Sequence, residues 1–253
     1  MLSELQQYLR RAAAQHRTVV RSGPFLVHLD EQSDQPYANY AIPDAGAEPS
    51  AAEVAALVEL FAARGRRAAF EFLPACAPAV SGALLAAGLE VTYRIPLMIC
   101  PARQLVAVAP PDGVTVVIAD DATPDERLRE LIAMQGAAFG LSPQPVPDED
   151  VQRLRARAGE GVVAYAVSGG AIVGGGCALV IRDGMTELAG IAVAEAARRR
   201  GIAAAVTAAL ALEAVARGAT LPFLTPGDDG AGRVYQRAGF APAGEMLHMA
   251  LPG

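Results

Sequence analysis

The residues best suited to chemistry lie together in Ile191-Ala192-Val193-Ala194-Glu195-Ala196-Ala197-Arg198-Arg199-Arg200-Gly201-Ile202-Ala203. A strand-like run enters a turn, and three guanidiniums sit at the start of a long apolar helix. The free N–H groups and the positive dipole end of such a helix start attract anions. Arginine is otherwise unfavourable there, because cations belong at helix C-termini. Arg198, Arg199 and Arg200 therefore call for an anionic ligand, and Gly201 and Ala203 let a phosphate approach the backbone. The alternative is a solvated arginine cluster that happens to precede a helix.

Other chemistries fare worse. All 21 basic residues are Arg, and without Lys no G-x-x-x-x-G-K-[ST] phosphate loop is possible. The run Gly169 to Gly176 leads into a strand where a dinucleotide fingerprint needs a helix, so it reads as a hairpin with a bulge. Cys76, Cys100 and Cys177 are odd in number, widely spaced and set in apolar runs. They read as reduced core residues, without metal-ligand spacing or a nucleophile's role, and no metal is expected.

Bulk properties narrow the classes further. A chain of 253 residues, 53% hydrophobic and with net charge −6, is too apolar to be disordered and too acidic to bind nucleic acid through a basic face. Its longest apolar stretch, about Ile202 to Ala216, contains Thr207 and Glu213 and falls short of the roughly 18 residues that span a membrane. The opening Met1 to Tyr8 has no signal-like apolar run and reads as a helix capped by Ser3, which places the protein in the cytoplasm.

The elements that must hold the arginine turn follow from periodicity. Val114–Ile118 reads as a strand and Pro124 to Phe139 as a helix, with Leu128, Leu131, Ile132 and Gln135 at three- and four-residue spacing. The Pro-rich loop Leu141 to Pro147 precedes a polar helix around Asp148 to Arg157. Strands Val162–Val167 and Ala171–Ile181 flank Ser168-Gly169-Gly170, and Met185–Val193 is a third. Then come helix Gly201–Arg217, strand Leu221–Thr225, a helix from about Asp229 to Ala238 and a closing pair of strands to Leu251. The order is β-α-α-β-β-β-α-β-α-β, an α/β (α+β) layout with a mixed sheet flanked by helices.

The sharpest sequence boundary, Ala109-Pro110-Pro111-Asp112-Gly113, divides residues 1–109 from 110–253. The two parts share an internal repeat at an offset of 151 residues. Phe72-Leu73-Pro74 answers Phe223-Leu224-Thr225, and Gly88-Leu89 answers Gly239-Phe240. Upstream, Tyr40-Ala41-Ile42 answers Ile191-Ala192-Val193, and helix Ala51 to Arg64 answers Ile202 to Arg217. Downstream, Ile95 and Met98 answer Met246 and Met249.

Arg198, Gly201 and Ala203 meet the pattern [Q/R]-x-x-G-x-[G/A], which resembles the pyrophosphate-binding motif of the GNAT superfamily of acyl-CoA N-acyltransferases. Asp228 to Phe240, a Tyr-bearing helix ending at Gly-Phe, resembles that family's second signature. The resemblance covers residues 113–253, and residues 1–109 only through the repeat. It implies a GNAT fold present twice with a partial, degenerate N-terminal copy, and an EC 2.3.1-type acyltransferase using acetyl-CoA as co-substrate.

The resemblance also implies roles. Main-chain groups of Ile191, Ala192 and Val193 would bind the pantetheine arm. N–H groups from about Arg199 through Gly201, Ile202, Ala203 and Ala204 would bind the pyrophosphate, beside Arg198 and Arg200. Tyr235 would protonate the departing thiolate. Glu187 would take the amine proton, while His248 packs or meets solvent. Asp228 stands where many relatives have an Asn that contacts the cofactor, and an acid there cannot donate the amide N–H. At the repeat offset, Arg198 to Gly201 become Ala47, Glu48, Pro49 and Ser50, and Tyr235 becomes Leu84, so the first half should not bind CoA in this way. The expected acceptor is a primary amine of a small molecule or peptide, with loop Leu141 to Pro147 on its side of the site. The protein would be a monomer or homodimer; a non-catalytic CoA-binding or regulatory module is the alternative.

Overall fold

A computed structural model describes residues 1–15, 17–31 and 38–252. The chain forms two compact units, Met1–Leu97 with Gly244–Gly253, and Met98–Ala243. Among the described residues no helix is long and apolar enough to cross a membrane.

The first unit contains α1 (Leu2–Ala13), β1 (Thr18–Ser22), β2 (Phe25–Leu29), β3 (Tyr40–Pro43), α2 (Ala51–Ala62), β4 (Ala69–Phe72) and α3 (Pro78–Ala86). Its sheet runs β1-β2-β3-β4 and is continued by β11 (Ala241–Ala250), the last strand of the chain. Alternate side chains of these strands, including Phe25, Val27, Ala41, Phe70, Phe72, Leu247 and Met249, form one core with Val54, Leu57 and Phe61 of α2 and Leu84 of α3.

The second unit holds β6 (Val114–Ile118), α4 (Asp125–Ala138), α5 (Asp148–Glu160), β7 (Val162–Ser168), β8 (Ala171–Ala178), β9 (Met185–Val193), α6 (Ile202–Ala216), β10 (Leu221–Leu224) and α7 (Asp229–Gln236). The sheet order is β5-β10-β9-β8-β7-β6, where β5 is Glu90–Ile99. The expected succession of elements is present, except that the closing pair of strands is the single strand β11. One face carries α6 with Leu188, Leu224 and Phe240. The other carries α4 and α5 with Leu131, Val151, Val163 and Cys177. The glycine run makes the helix contacts close: a Cβ on Gly174 would lie 2.9 Å from Ile202, and one on Gly175 would lie 2.4 Å from Leu131. The turn glycines Gly169 and Gly170 take the positive φ of a tight hairpin.

The compact units divide elsewhere than at residues 109 and 110, because two strands end in the opposite unit. Met98 and Ile99 of β5 pair with Leu224 and Phe223 of β10, and Leu247–Ala250 of β11 pair with β4. The connection after β5 also belongs to the second unit, through Cys100 N–H to Pro222 O and Val106 N–H to Ala238 O.

Two expectations are corrected. Ser3 does not cap α1: the helix begins at Leu2 with Met1 as N-cap, and the Ser3 hydroxyl bonds the Cys76 thiol. The repeat holds for α2, β4 and α3 against α6, β10 and α7, but it slips at β3. Phe70 of β4 pairs with Ala41, whereas its counterpart Leu221 pairs with Met185, seven residues before the counterpart of Ala41. β9 thus runs on beyond its pairing with β10, while β3 stops at Pro43. There the buried amide of Gln6 bridges the gap, donating to Pro43 O at 2.9 Å and accepting from Leu73 N–H at 3.0 Å.

On the α1 side of the same sheet, His28 is fully buried. Its Nε2 lies 3.0 Å from Arg10 O and its Nδ1 has no partner, so the ring is neutral with the proton on Nε2. Burial lowers its pKa from 6.5 to about 4. The unfolded chain therefore takes up this proton first, and stability is lost as pH falls from about 6.5 through 4, by on the order of 3 kcal/mol. Replacing His28 with Phe should flatten the dependence of the thermal midpoint on pH across that window.

Candidate active site

The site is set by where β9 parts from β10. Met185, Thr186 and Glu187 pair in parallel with Leu221, Pro222 and Phe223. Beyond Glu187, among the described residues, no residue of β9 has a register partner in β10. On its other edge β9 stays paired with β8 as far as Val193 opposite Gly174. A register slip lies between Ala189 and Ala192, at Gly190 with φ of +62°, which is a β-bulge. Gln135 of α4 holds it, donating Nε2–H to Gly190 O at 2.6 Å.

The three strand residues expected to act alike do not. Ala194 N–H bonds Val173 O at 3.0 Å, so by the antiparallel alternation Ala192 turns its backbone groups to β8. Ile191 and Val193 turn theirs to the unpaired edge.

After β9, the turn passes through Arg199 at φ +63° and Gly201 at φ +92°. Gly201 is the N-cap of α6 and supplies no side-chain cap, which leaves the first N–H groups from Ile202, Ala203 and Ala204 without helical partners. The repeat-related start of α2 is closed instead. Ser50 accepts from Glu53 N–H, while Glu53 Oε2 takes Ser50 N–H at 2.8 Å, a complete capping box.

The arginines divide in two. Arg199 and Arg200 are exposed. Arg198 donates Nε–H to Val193 O at 3.2 Å and Nη2–H to Ala138 O at 3.1 Å, the last residue of α4. Arg198 thus serves the negative end of a helix.

Glu187 stands at the last rung of the β9–β10 pairing, half-buried. By strand alternation it shares a face with Ala189, against α4 and α5, and its charge acts on the Cys177 thiol. Burial raises that thiol's pKa, with Arg157 opposing, which disfavours the thiolate. Tyr235, on α7, is half-buried and packs against the α6 side. Burial raises its pKa, and the charge of Asp228 adds to the rise. The phenol therefore stays protonated and able to donate. Asp228 caps α7, accepting from Ala231 N–H at 2.7 Å. His248 belongs to the first unit, opposite Glu71 on β4 with Nδ1 and Oε2 3.7 Å apart. The described residues contain no cluster of three or more His, Cys, Asp or Glu that could hold a metal.

Gln135 was not singled out for a role by sequence reasoning. Its signal is present all the same: a lone amide in the apolar stripe of Leu128, Leu131 and Ile132 needs a polar partner.

Residues 127–240 match the acetyltransferase (GNAT) family. The whole chain is similar to a GCN5-related N-acetyltransferase from Kribbella flavida, at 27% identity and TM-score 0.83, covering 96% of that chain. It also resembles a GCN5-related N-acetyltransferase from Sphaerobacter thermophilus, at 17% identity and TM-score 0.71, over 100% of this chain and 90% of that one. A tandem GNAT protein from the clavulanic acid biosynthesis pathway shares 17% identity at TM-score 0.68, over 100% and 88%. No curated protein matches.

The backbone of the turn is itself testable. Changing Arg199 to Gly should stabilise the protein by about 1 kcal/mol by relieving a left-handed non-glycine residue, and Gly201→Ala should cost about as much. Denaturant unfolding of both variants reads the two signs.

Proposed function

We propose, from the premise that residues 127–240 form a GNAT acetyltransferase domain, that this protein moves an acetyl group from acetyl-CoA to a primary amine of a small molecule or peptide. Transfer is direct, within a ternary complex. Residues 110–253 carry the catalysis, and residues 1–109 are a degenerate GNAT-like copy that shapes or supports it.

One observation carries this reading: the uncapped start of α6 beside the unpaired edge of β9, set against the capped start of α2. Backbone groups of Ile191 and the N–H of Val193 fit the amides of a pantetheine arm. Arg199, Arg200 and the N–H groups through Ala204 fit a pyrophosphate. In the first unit the equivalent strand gap is filled by Gln6, and the helix start is satisfied by Ser50 and Glu53. Leu84, at the position equivalent to Tyr235, is buried and has no proton to give.

The two proton-transfer groups suit opposite faces of the parted strands. Glu187, on the α4 and α5 side, accepts the proton that the amine must lose. The amine nitrogen then bonds to the acyl carbon and the carbon–sulfur bond breaks. Tyr235, on the α6 side, gives its proton to the leaving sulfur. Orientation of the two reactants supplies much of the remaining rate, and no acyl-enzyme is needed.

Release of free thiol from acetyl-CoA across a panel of amines tests the reaction. Tyr235→Phe should lower turnover about 100-fold or more while CoA affinity stays within about twofold; unchanged turnover would remove Tyr235 from the chemistry. Converting Arg199 and Arg200 together to Ala should weaken CoA binding about tenfold by calorimetry, since each exposed cation contributes up to about 1 kcal/mol.

A further inference from the structure

Two side chains tie the end of α4 to the unpaired part of β9. Gln135 bonds Gly190 O at 2.6 Å, and Arg198 spans from Val193 O at 3.2 Å to Ala138 O at 3.1 Å. Both carbonyls on β9 lie beyond Glu187, where β10 gives no support. The chain then leaves α4 through Phe139 and Leu141, which are 61% and 66% exposed. Their amides stay on the same helical turn: Phe139 N–H bonds Gln135 O at 3.0 Å and Leu141 N–H bonds Gly136 O at 2.9 Å. The Leu141 side chain also folds back over Gly136, where a Cβ would meet it at 3.9 Å. One helical turn thus touches the strand on one side and begins the Pro-rich loop on the other.

We propose that Gln135 and Arg198 are positioning residues, a brace through which occupancy of the β9 edge orders the loop from Phe139 onward. Resting on the acyltransferase reading, this makes the acceptor side of the site form most completely when the cofactor is bound. The physical basis is local. A strand edge without a neighbour moves with its one remaining ladder, and a ligand bonded to Ile191 and Val193 removes that freedom. The carbonyls of Gly190 and Val193 are then held still, and through the brace so is the last turn of α4. Neither side chain touches the reacting atoms. Loss of either should leave the cofactor bound while uncoupling the loop from it.

Amide hydrogen exchange of the full-length protein, with and without CoA, reads both ends of the brace. In the wild type, CoA should slow exchange over residues 191–204 and also about fivefold or more over residues 139–142, the low end of the range usual for coupled sites. Gln135→Met keeps the side chain's bulk and helix preference but removes the donor, and Arg198→Lys keeps the charge near the end of α4 but not the two-armed reach. Each should retain protection at 191–204 and lose most of it at 139–142, with the thermal midpoint confirming a folded protein. Protection at 191–204 without any at 139–142 in the wild type overturns the brace alone, as does undiminished protection of 139–142 in both variants. No protection at either segment overturns the cofactor reading and the brace with it.

Discussion

The second unit is organised around two parallel strands that stop pairing. Three rungs join β9 to β10, and past the last of them β9 is paired, among the described residues, with β8 alone. Buried backbone N–H and C=O groups must find partners, so an edge of this kind is stable only where a side chain, water or ligand supplies them. Arg198 satisfies one carbonyl on that edge and Gln135 holds the bulge beside it. The remaining groups of Ile191 and Val193, with the bare start of α6, form a continuous line of backbone polarity with no backbone partner in β10 among the described residues.

The first unit shows the same scaffold with that polarity met internally. Its shorter strand runs two residues past its pairing with β4, Gln6 reaches from α1 into the gap, and the Ser50–Glu53 box closes the helix start. Gly46 N–H bonds Cys76 O at 2.6 Å across the loops that follow the two strands. Each contact is a few atoms, yet together they satisfy the backbone groups at the strand end and the helix start. Exchange of end strands between the sequence halves fits this division, because β11 and β5 complete sheets whose cores are otherwise built locally.

Electrostatics reinforces the contrast. In the second unit, burial keeps the Tyr235 phenol protonated and the Cys177 thiol inert, leaving the exposed arginines as the charge that faces outward from the turn. In the first, desolvation raises the Glu71 carboxyl while His248 and Arg17 pull it back. The positions equivalent to Glu71 and Tyr40 in the repeat are Pro222 and Ile191, so the shared fold does not require polar groups there.

Periodicity, turn glycines and the two motifs made the order of elements from β6 to β11, the arginine-bearing helix start and the Tyr-bearing helix legible in the amino-acid string. These are local properties: a heptad-like stripe, an N-cap or a hairpin is written within a few residues of itself. What the string alone determined is therefore the order of these elements and the residue types at the head of α6. The tertiary structure decided the rest. It set the extent to which β9 outruns β10, the assignment of Ala192 to β8 and Ile191 to the open edge, and the use of Arg198 as a strut. It also moved the boundary of the compact units away from residue 109. Each of these depends on hydrogen bonds between residues far apart in the chain or on strand register, and register is fixed by which partner satisfies the backbone, a competition no short stretch of sequence records.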